Sequence, residues 1–211
     1  MMAERTIFIA RHGSREDFED PQWAQRAEYA YDPDLSAAGI REAQQLAQRL
    51  AREPIAYLYS SPYLRAAHTA HWCAKALGLS IRIEAGFGEW RNAEWFAHPP
   101  RTRSRRELKE RFPMVDDSYQ SLVEPGFPES KSDSIRRFGR TIDGTLRRTE
   151  GTLLIVGHGA TVEGVGASLL PGHFFPTADP ASLCRLDLEE GSWHLHFLND
   201  TSHLDARIAS R

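Results

Sequence analysis

Thr6-Ile7-Phe8-Ile9-Ala10-Arg11-His12-Gly13 and Thr152-Leu153-Leu154-Ile155-Val156-Gly157-His158-Gly159 decide the fold of this chain. Each is an apolar, β-branched run of strand length that breaks into His-Gly. If the two strands lie parallel and adjacent, their ends place two imidazoles and the Arg11 guanidinium at one edge of a sheet. That edge suits anionic chemistry, because Gly13 allows a sharp exit that brings backbone N–H groups close to a bound anion.

Outward from these strands the chain alternates. Ser36 reads as an N-cap, and Ile40, Ala43, Ala47 and Leu50 follow at helical spacing, which predicts an amphipathic helix over Ala37 to Ala51. Tyr57 to Ser60 reads as a strand. Ser61-Pro62-Tyr63-Leu64-Arg65 leads into a helix ending near Leu77, with Gly78 as its C-terminal cap. A short strand, Ile81 to Glu84, comes next. Ser132 is expected to cap a helix with the stripe Ile135, Phe138, Ile142 and Leu146, which feeds the strand Thr152 to Val156. Ser182 to Leu188 and Trp193 to Asn199 read as a closing hairpin. The order predicts an α/β fold with a mostly parallel sheet. In such sheets ligands sit beyond the carboxyl ends of the strands, and His12, Arg65, Glu89 and His158 each follow a predicted strand.

Two stretches fall outside the alternation. Ser14 to Pro33, with Trp23, Tyr29 and Tyr31, is too long for an ordinary connection. A Pro- and Arg-rich segment from Arg91 to Glu129 carries Trp95 and Phe96. Both follow residues placed at the site, so they are expected to form a partial lid. Its aromatics would favour aryl or hydrophobic esters, and Arg101 to Arg111 would supply a positive rim. The competing reading of that basic run is a solvated helix start.

A chain of 211 residues with 41% hydrophobic and 26% charged content is expected to form one domain, 1–211, with 91–129 inserted in it. Net charge of −3 argues against a general nucleic-acid binder. The charge is uneven: Arg101 to Arg111 holds six basic and two acidic residues, a net +4 that leaves −7 elsewhere. Apolar runs no longer than a strand give neither a secretory core nor a membrane span, which favours the cytoplasm. Cys73 and Cys184 stand far apart and are expected to be buried and inert. The histidines His68, His71, His194, His196 and His203 have no carboxylate or thiolate partners at ligand spacing, so no metal and no cofactor is expected.

Phosphoryl transfer needs a nucleophile, a clamp for charge on the equatorial oxygens and an acid for the leaving oxygen. A neutral His12 is a competent nucleophile near pH 7. Arg11, Arg15 and Arg65 offer forked, charge-assisted hydrogen bonds to phosphate, with His158 a further donor. Glu89, beside Trp90, is the natural acid, its pKa expected to be raised by the neighbouring indole. Local pairing with Glu16 or Asp17 would also account for Arg15.

Arg11-His12-Gly13, Leu35-Ser36-Ala37-Ala38-Gly39, Ser60 to Ala70, Gly88-Glu89-Trp90 and Val156-Gly157-His158-Gly159 closely resemble the histidine phosphatase superfamily, in family order. The resemblance implies a three-layer α/β/α sandwich of the phosphoglycerate mutase-like kind. It also implies a phosphorylated His12, phosphate binding by Arg11, Arg65 and His158, and Glu89 as proton donor. Where the mutase branch continues with Glu-Ser, this chain reads Ser14-Arg15, which resembles the suppressor of T-cell receptor signalling and ecdysteroid-phosphate phosphatases. In that branch an arginine at the position of Arg15 joins the phosphate pocket. The expected function is therefore metal-independent hydrolysis of a small phosphorylated substrate. A phosphomutase and a non-catalytic phospho-ligand binding module are the alternatives. Oligomeric state stays open, a dimer included.

Overall fold

The structure, a computed structural model, describes residues 4–20 and 22–205. Six strands form one sheet: β1 (Arg5–Arg11), β2 (Ile55–Ser60), β3 (Ile81–Ile83), β4 (Thr152–Gly157), β5 (Leu183–Glu189) and β6 (Ser192–Asp200), in the order β3-β2-β4-β1-β5-β6. The first four in that order run parallel, and β5 and β6 add an antiparallel edge. The helices are α1 (Trp23–Arg26), α2 (Ala37–Leu50), α3 (Leu64–Leu77), α4 (Arg105–Arg111), α5 (Lys131–Leu146) and α6 (Gly159–Leu169).

Alternation along β1 builds two cores. Phe8 and Ala10 face one way and pack with Leu46 and Leu50 of α2, Leu64 and Ala70 of α3, and Leu108 and Phe112 near α4. Ile7 and Ile9 face the other way, against Phe138 and Ile142 of α5 and Val162 and Val165 of α6. Helices on both faces make the sheet the middle of three layers, and explain why β1 reads as a continuous apolar run. Each fully buried Ile or Phe contributes about 1.5–3 kcal/mol of transfer free energy.

The chain steps from β1 past β4 to β2 and β3 over the α2 and α3 face. It then returns through α5 to lay β4 between β1 and β2. The switch in direction therefore falls between β1 and β4, where Arg11 is in register with Gly157. A crevice at the carboxyl ends of those two strands follows from this topology.

The predicted elements are found with small shifts in their bounds. Ser36 caps α2 by accepting from the Gly39 amide, and Gly78 closes α3 with φ of +68°. One cap differs: α5 starts at Lys131, capped by Ser130, whose hydroxyl accepts from Asp133 N while Asp133 accepts from Ser130. The triplet Ser130, Ser132 and Ser134 makes three serines plausible caps by type, and only the reciprocal Asp133 selects the first.

The segment 91–129 is less a free flap than an addition to the sheet edge. Met114 and Asp116 bond to Ile81 of β3 through their backbones, and Phe112 and Val115 join the core. It is also zipped to the Ser14 to Pro33 stretch. The Tyr31 ring packs edge-on to Phe96 at 5.0 Å, and its hydroxyl accepts from the Ala97 amide at 3.2 Å. Asp32, fully buried, accepts from Arg103 and from the Leu64 amide at the start of α3. Both cysteines are buried and unpaired.

Candidate active site

His12 leaves β1 with its amide bonded to the Gly157 carbonyl at 2.9 Å, and His158 leaves β4 next to it. Their rings meet edge to face at 5.2 Å. Gly13 then crosses the first turn of α2 so closely that a Cβ on it would lie 2.6 Å from the Gly39 oxygen. A Cβ on Gly39 would lie 2.0 Å from that of Ser14. No other residue type fits this crossing without moving backbone. Glu42 completes the join by accepting from the Ser14 amide at 2.7 Å and its hydroxyl at 2.9 Å. The turn of helix α2 thus fixes the direction in which His12 leaves the sheet.

The protonation of His12 follows from its neighbours. Nδ1 lies 2.8 Å from the Gly13 carbonyl, which can only accept, so Nδ1 carries the proton. Nε2 receives a hydrogen bond from Nε of Arg65 at 3.1 Å, which can only donate, so Nε2 holds the lone pair. Burial, then the charges of Arg65, His158 and Arg11, push the His12 pKa well below its ordinary value. The ring is neutral at pH 7, with Nε2 basic and aimed at a guanidinium.

Arg65 sits in the first turn of α3, 2% exposed. Its Nη2 lies 3.6 Å from Glu89 and 3.4 Å from Nδ1 of His158, and its buried Nη1 has no hydrogen-bond partner among the described residues. Arg11 donates from Nη1 to the Ala178 carbonyl, and its buried Nε is likewise unpartnered among the described residues. Buried donors without partners carry a desolvation cost of about 1–3 kcal/mol each, which an anion between them would relieve.

His158 is held from both sides. Glu89 Oε2 lies 3.3 Å from Nδ1, and Ser61 Oγ lies 2.7 Å from Nε2 while accepting from the Tyr63 amide. With Nδ1–H donating to the Glu89 carboxylate and the Ser61 hydroxyl donating to Nε2, both of these contacts are satisfied. Burial is the largest influence on His158 and lowers its pKa to about 4 in spite of Glu89. Ser61 was legible only as part of a motif, and nothing in its spacing shows that it fixes this ring.

Glu89 departs from the expectation. Burial does act to raise its pKa, but His158, Arg65 and the Trp90 amide outweigh it and hold the carboxyl at about 2. The indole of Trp90 turns away to donate to the Glu129 carbonyl at 2.9 Å. Glu89 is a carboxylate in this arrangement because a guanidinium and an imidazole N–H reach it, which sequence neighbours could not reveal.

Arg15 is paired locally and also lies on the cavity wall. It makes a forked pair with Asp17, with Nε to Oδ1 at 2.9 Å, and stacks over Phe18 at 4.4 Å while lining the cavity above His12. That cavity, of about 600 Å³, is walled by Arg11, Arg15, Phe18, Ala38, Arg41 and Pro180 among others. Phe18 is 73% exposed. The rings expected to form the wall lie elsewhere: none of Trp23, Tyr29, Tyr31, Trp95 and Phe96 lines it, and Phe96 is buried. The basic run is also spent elsewhere. Arg103 pairs with Asp32, Arg106 with Glu110 and Arg111 with Asp34, while Ser104 and Glu107 make the capping box of α4. The helix-start reading therefore describes that run.

Among the described residues, no three His, Cys, Asp or Glu side chains converge on a point that could hold a metal ion. No helix among them is long and apolar enough to cross a membrane. His68 bonds to Asp34 and packs with His71 against Phe112.

A neutral histidine with a directed lone pair, one buried and one partly buried guanidinium and a carboxylate, all at a sheet switch point, define an α/β site of the phosphoryl-transfer class. The chain matches the model of the histidine phosphatase superfamily (branch 1) over residues 7–201, and it belongs to that family. It is 28% identical to a probable phosphoglycerate mutase of Yersinia pestis, over 94% of each chain. The fold is shared with the ecdysone phosphate phosphatase of Bombix mori, crystallised with tungstate, at a TM-score of 0.76 and 20% identity over 97% of this chain and 99% of that one. A mycobacterial glucosyl-3-phosphoglycerate phosphatase aligns at a TM-score of 0.68 and 19% identity, over 93% and 100%.

Proposed function

We propose that the protein is a metal-independent phosphatase, a single histidine phosphatase domain that hydrolyses phosphate monoesters through a phosphohistidine on His12. The observation that carries this reading is the fixed tautomer of His12, with Nδ1–H on the Gly13 carbonyl and the Nε2 lone pair facing Arg65. A phosphoryl group seated between Arg11, Arg65 and His158 presents phosphorus to Nε2. Nε2 forms the P–N bond as the ester P–O bond breaks, and the guanidinium forks hold the equatorial oxygens.

The leaving oxygen needs a proton, and Glu89 supplies it once its surroundings change. A bound phosphate draws Arg65 and His158 to its own charge, and burial, the largest influence on Glu89, then raises the carboxyl into range for protonation. After the alcohol leaves, the Glu89 carboxylate takes a proton from water, whose oxygen attacks phosphorus. The P–N bond breaks, His12 regains its lone pair and inorganic phosphate departs.

The identity to a probable phosphoglycerate mutase supports a second reading, a phosphomutase that returns the phosphoryl group to a substrate oxygen. The ecdysone phosphate phosphatase and glucosyl-3-phosphoglycerate phosphatase folds favour hydrolysis, as does a cavity with apolar walls at Phe18, Ala38 and Pro180. Rapid-quench labelling with a phosphate monoester tests both. Acid-labile, base-stable phosphate on His12 and steady phosphate release, with activity retained in EDTA, are expected. Label on His158, or loss of turnover in EDTA with recovery on adding zinc or magnesium, overturns the mechanism. Isomerisation of phosphoglycerate without phosphate release selects the mutase.

A further inference from the structure

Arg137 is buried on α5, far from His12 in sequence, and has no part in the motifs of the site. It is 3% exposed and uses every arm of its guanidinium. Nη1 donates to the Gly86 carbonyl at 2.7 Å and the Gly88 carbonyl at 3.1 Å, and Nη2 donates to the Glu89 carbonyl at 3.1 Å. The same guanidinium grips both oxygens of Glu129, at 2.6 and 2.8 Å. Glu129 is itself 6% exposed and also accepts from the Arg91 amide at 3.2 Å, while its own amide donates to the Arg91 carbonyl at 2.9 Å. The loop Gly86 to Arg91 is therefore pinned from below by one cation and from its far end by that cation's counter-ion. Gly86 lies so close to α5 that a Cβ there would meet Thr141 at 2.2 Å.

The insertion leaves the fold at Arg91 and returns at Glu129, so its neck is closed by the same pair. From this we infer that the Arg137–Glu129 ion pair is a positioning pair. It sets the Glu89 carboxylate against His158 and Arg65, and isolates it from movement in residues 92–128. Three carbonyls aimed at one guanidinium fix the loop's backbone more tightly than separate bonds would. A lysine has one donor centre and cannot span all three and the carboxylate. The inference rests on the reading of Glu89 as the acid for the leaving group.

A displaced acid hurts most where the leaving group needs its proton. In Arg137→Lys and Glu129→Gln, turnover of an alkyl phosphate is expected to fall about tenfold more than turnover of p-nitrophenyl phosphate. Inhibition by inorganic phosphate is expected to shift less than threefold, because Arg11, Arg65 and His12 keep their own supports. Equal slowing of both esters, or no slowing, overturns the pair's role. Glu89→Gln measured alongside separates the two claims: if it too slows both esters equally, the acid assignment has failed, and if it alone discriminates, the positioning claim has. Should the variants not fold, amide exchange on the native protein decides. Residues 86–91 are expected to be protected well beyond the loops of 92–128, and exchange in step with those loops overturns the inference.

Discussion

The His12 end of the cavity and the two long insertions are built from the same kinds of residue, arginine beside aromatic rings, yet they behave as opposites. At the carboxyl ends of β1 and β4, Arg65 and His158 are almost wholly buried, and each is held by groups from other elements. In the insertions, arginines such as Arg106 and Arg101 are exposed, one paired to a carboxylate on its own helix and the other lying over Tyr29. In the first region the donors that are dehydrated and unpartnered among the described residues, Arg65 Nη1 and Arg11 Nε, belong to arginines beside His12, where charge acts with little screening, whereas the unpartnered Nε atoms of Arg91 and Arg105 in the insertion belong to arginines that do not line its cavity. Arginine content alone therefore marks no site. What matters is whether unspent donors lie beside His12.

That contrast predicts a steep order of effects. The largest belongs to His12→Ala, which removes the proposed nucleophile: turnover should drop by at least about 10⁴-fold, the scale seen when a covalent nucleophile is deleted. Steady-state rates against p-nitrophenyl phosphate check it, and a loss under tenfold would dissolve the distinction between the two regions. Next is Gly39→Ala at the crossing with Ser14. A Cβ 2.0 Å from a backbone oxygen must displace the loop that aims His12, so about 10²-fold lower activity is expected, together with a lower Tm. Full activity in that variant would mean the turn of α2 does not fix His12.

Acid pH should separate the regions in a third way. His158 titrates at about 4 in the folded protein and near 6.5 when unfolded, so between those values the unfolded chain binds a proton that the folded site refuses. His12 is depressed in the same direction. Stability is therefore lost as pH falls from 6.5 toward 4, and Glu89, held at about 2, adds a further loss below its ordinary 4.5. Thermal melts should give a lower Tm at pH 5 than at pH 7, and the difference should shrink in His158→Asn. A Tm independent of pH over that window would remove the case for a buried neutral histidine pair.

The smallest effect concerns the cavity wall. Phe18→Ala should raise KM for aryl phosphates about threefold, roughly 0.7 kcal/mol, while Trp95→Ala should leave it within error, since only Phe18 lines the cavity. The reverse ranking would return the wall to the 91–129 segment.

Much of the framework was legible because its signals are local. The strands β1 and β4, the Ser36 cap, the end of α3 at Gly78 and the hairpin of β5 and β6 each depend on a few neighbouring residues. His12, Arg65, Glu89 and His158 could be singled out because each follows a strand. The errors lay where distance in sequence is large. Ser130 rather than Ser132 caps α5 because Asp133 reaches back to it. The aromatics of the insertions pack on one another, and Phe18, a lone phenylalanine in a polar stretch, carries no periodic signal.

The sequence by itself determined which segments become strands and helices, and which chemically capable side chains stand at their ends, since propensity, capping and alternation are short-range. The tertiary structure alone decided which nitrogen of His12 carries the proton, why Glu89 is ionised when burial opposes it, and that Arg137 and Glu129 hold its loop. Most of those outcomes depend on groups 8 to 97 residues apart in the chain. Charge and hydrogen-bond energies depend on distance and burial in space, and both exist only once the sheet has closed.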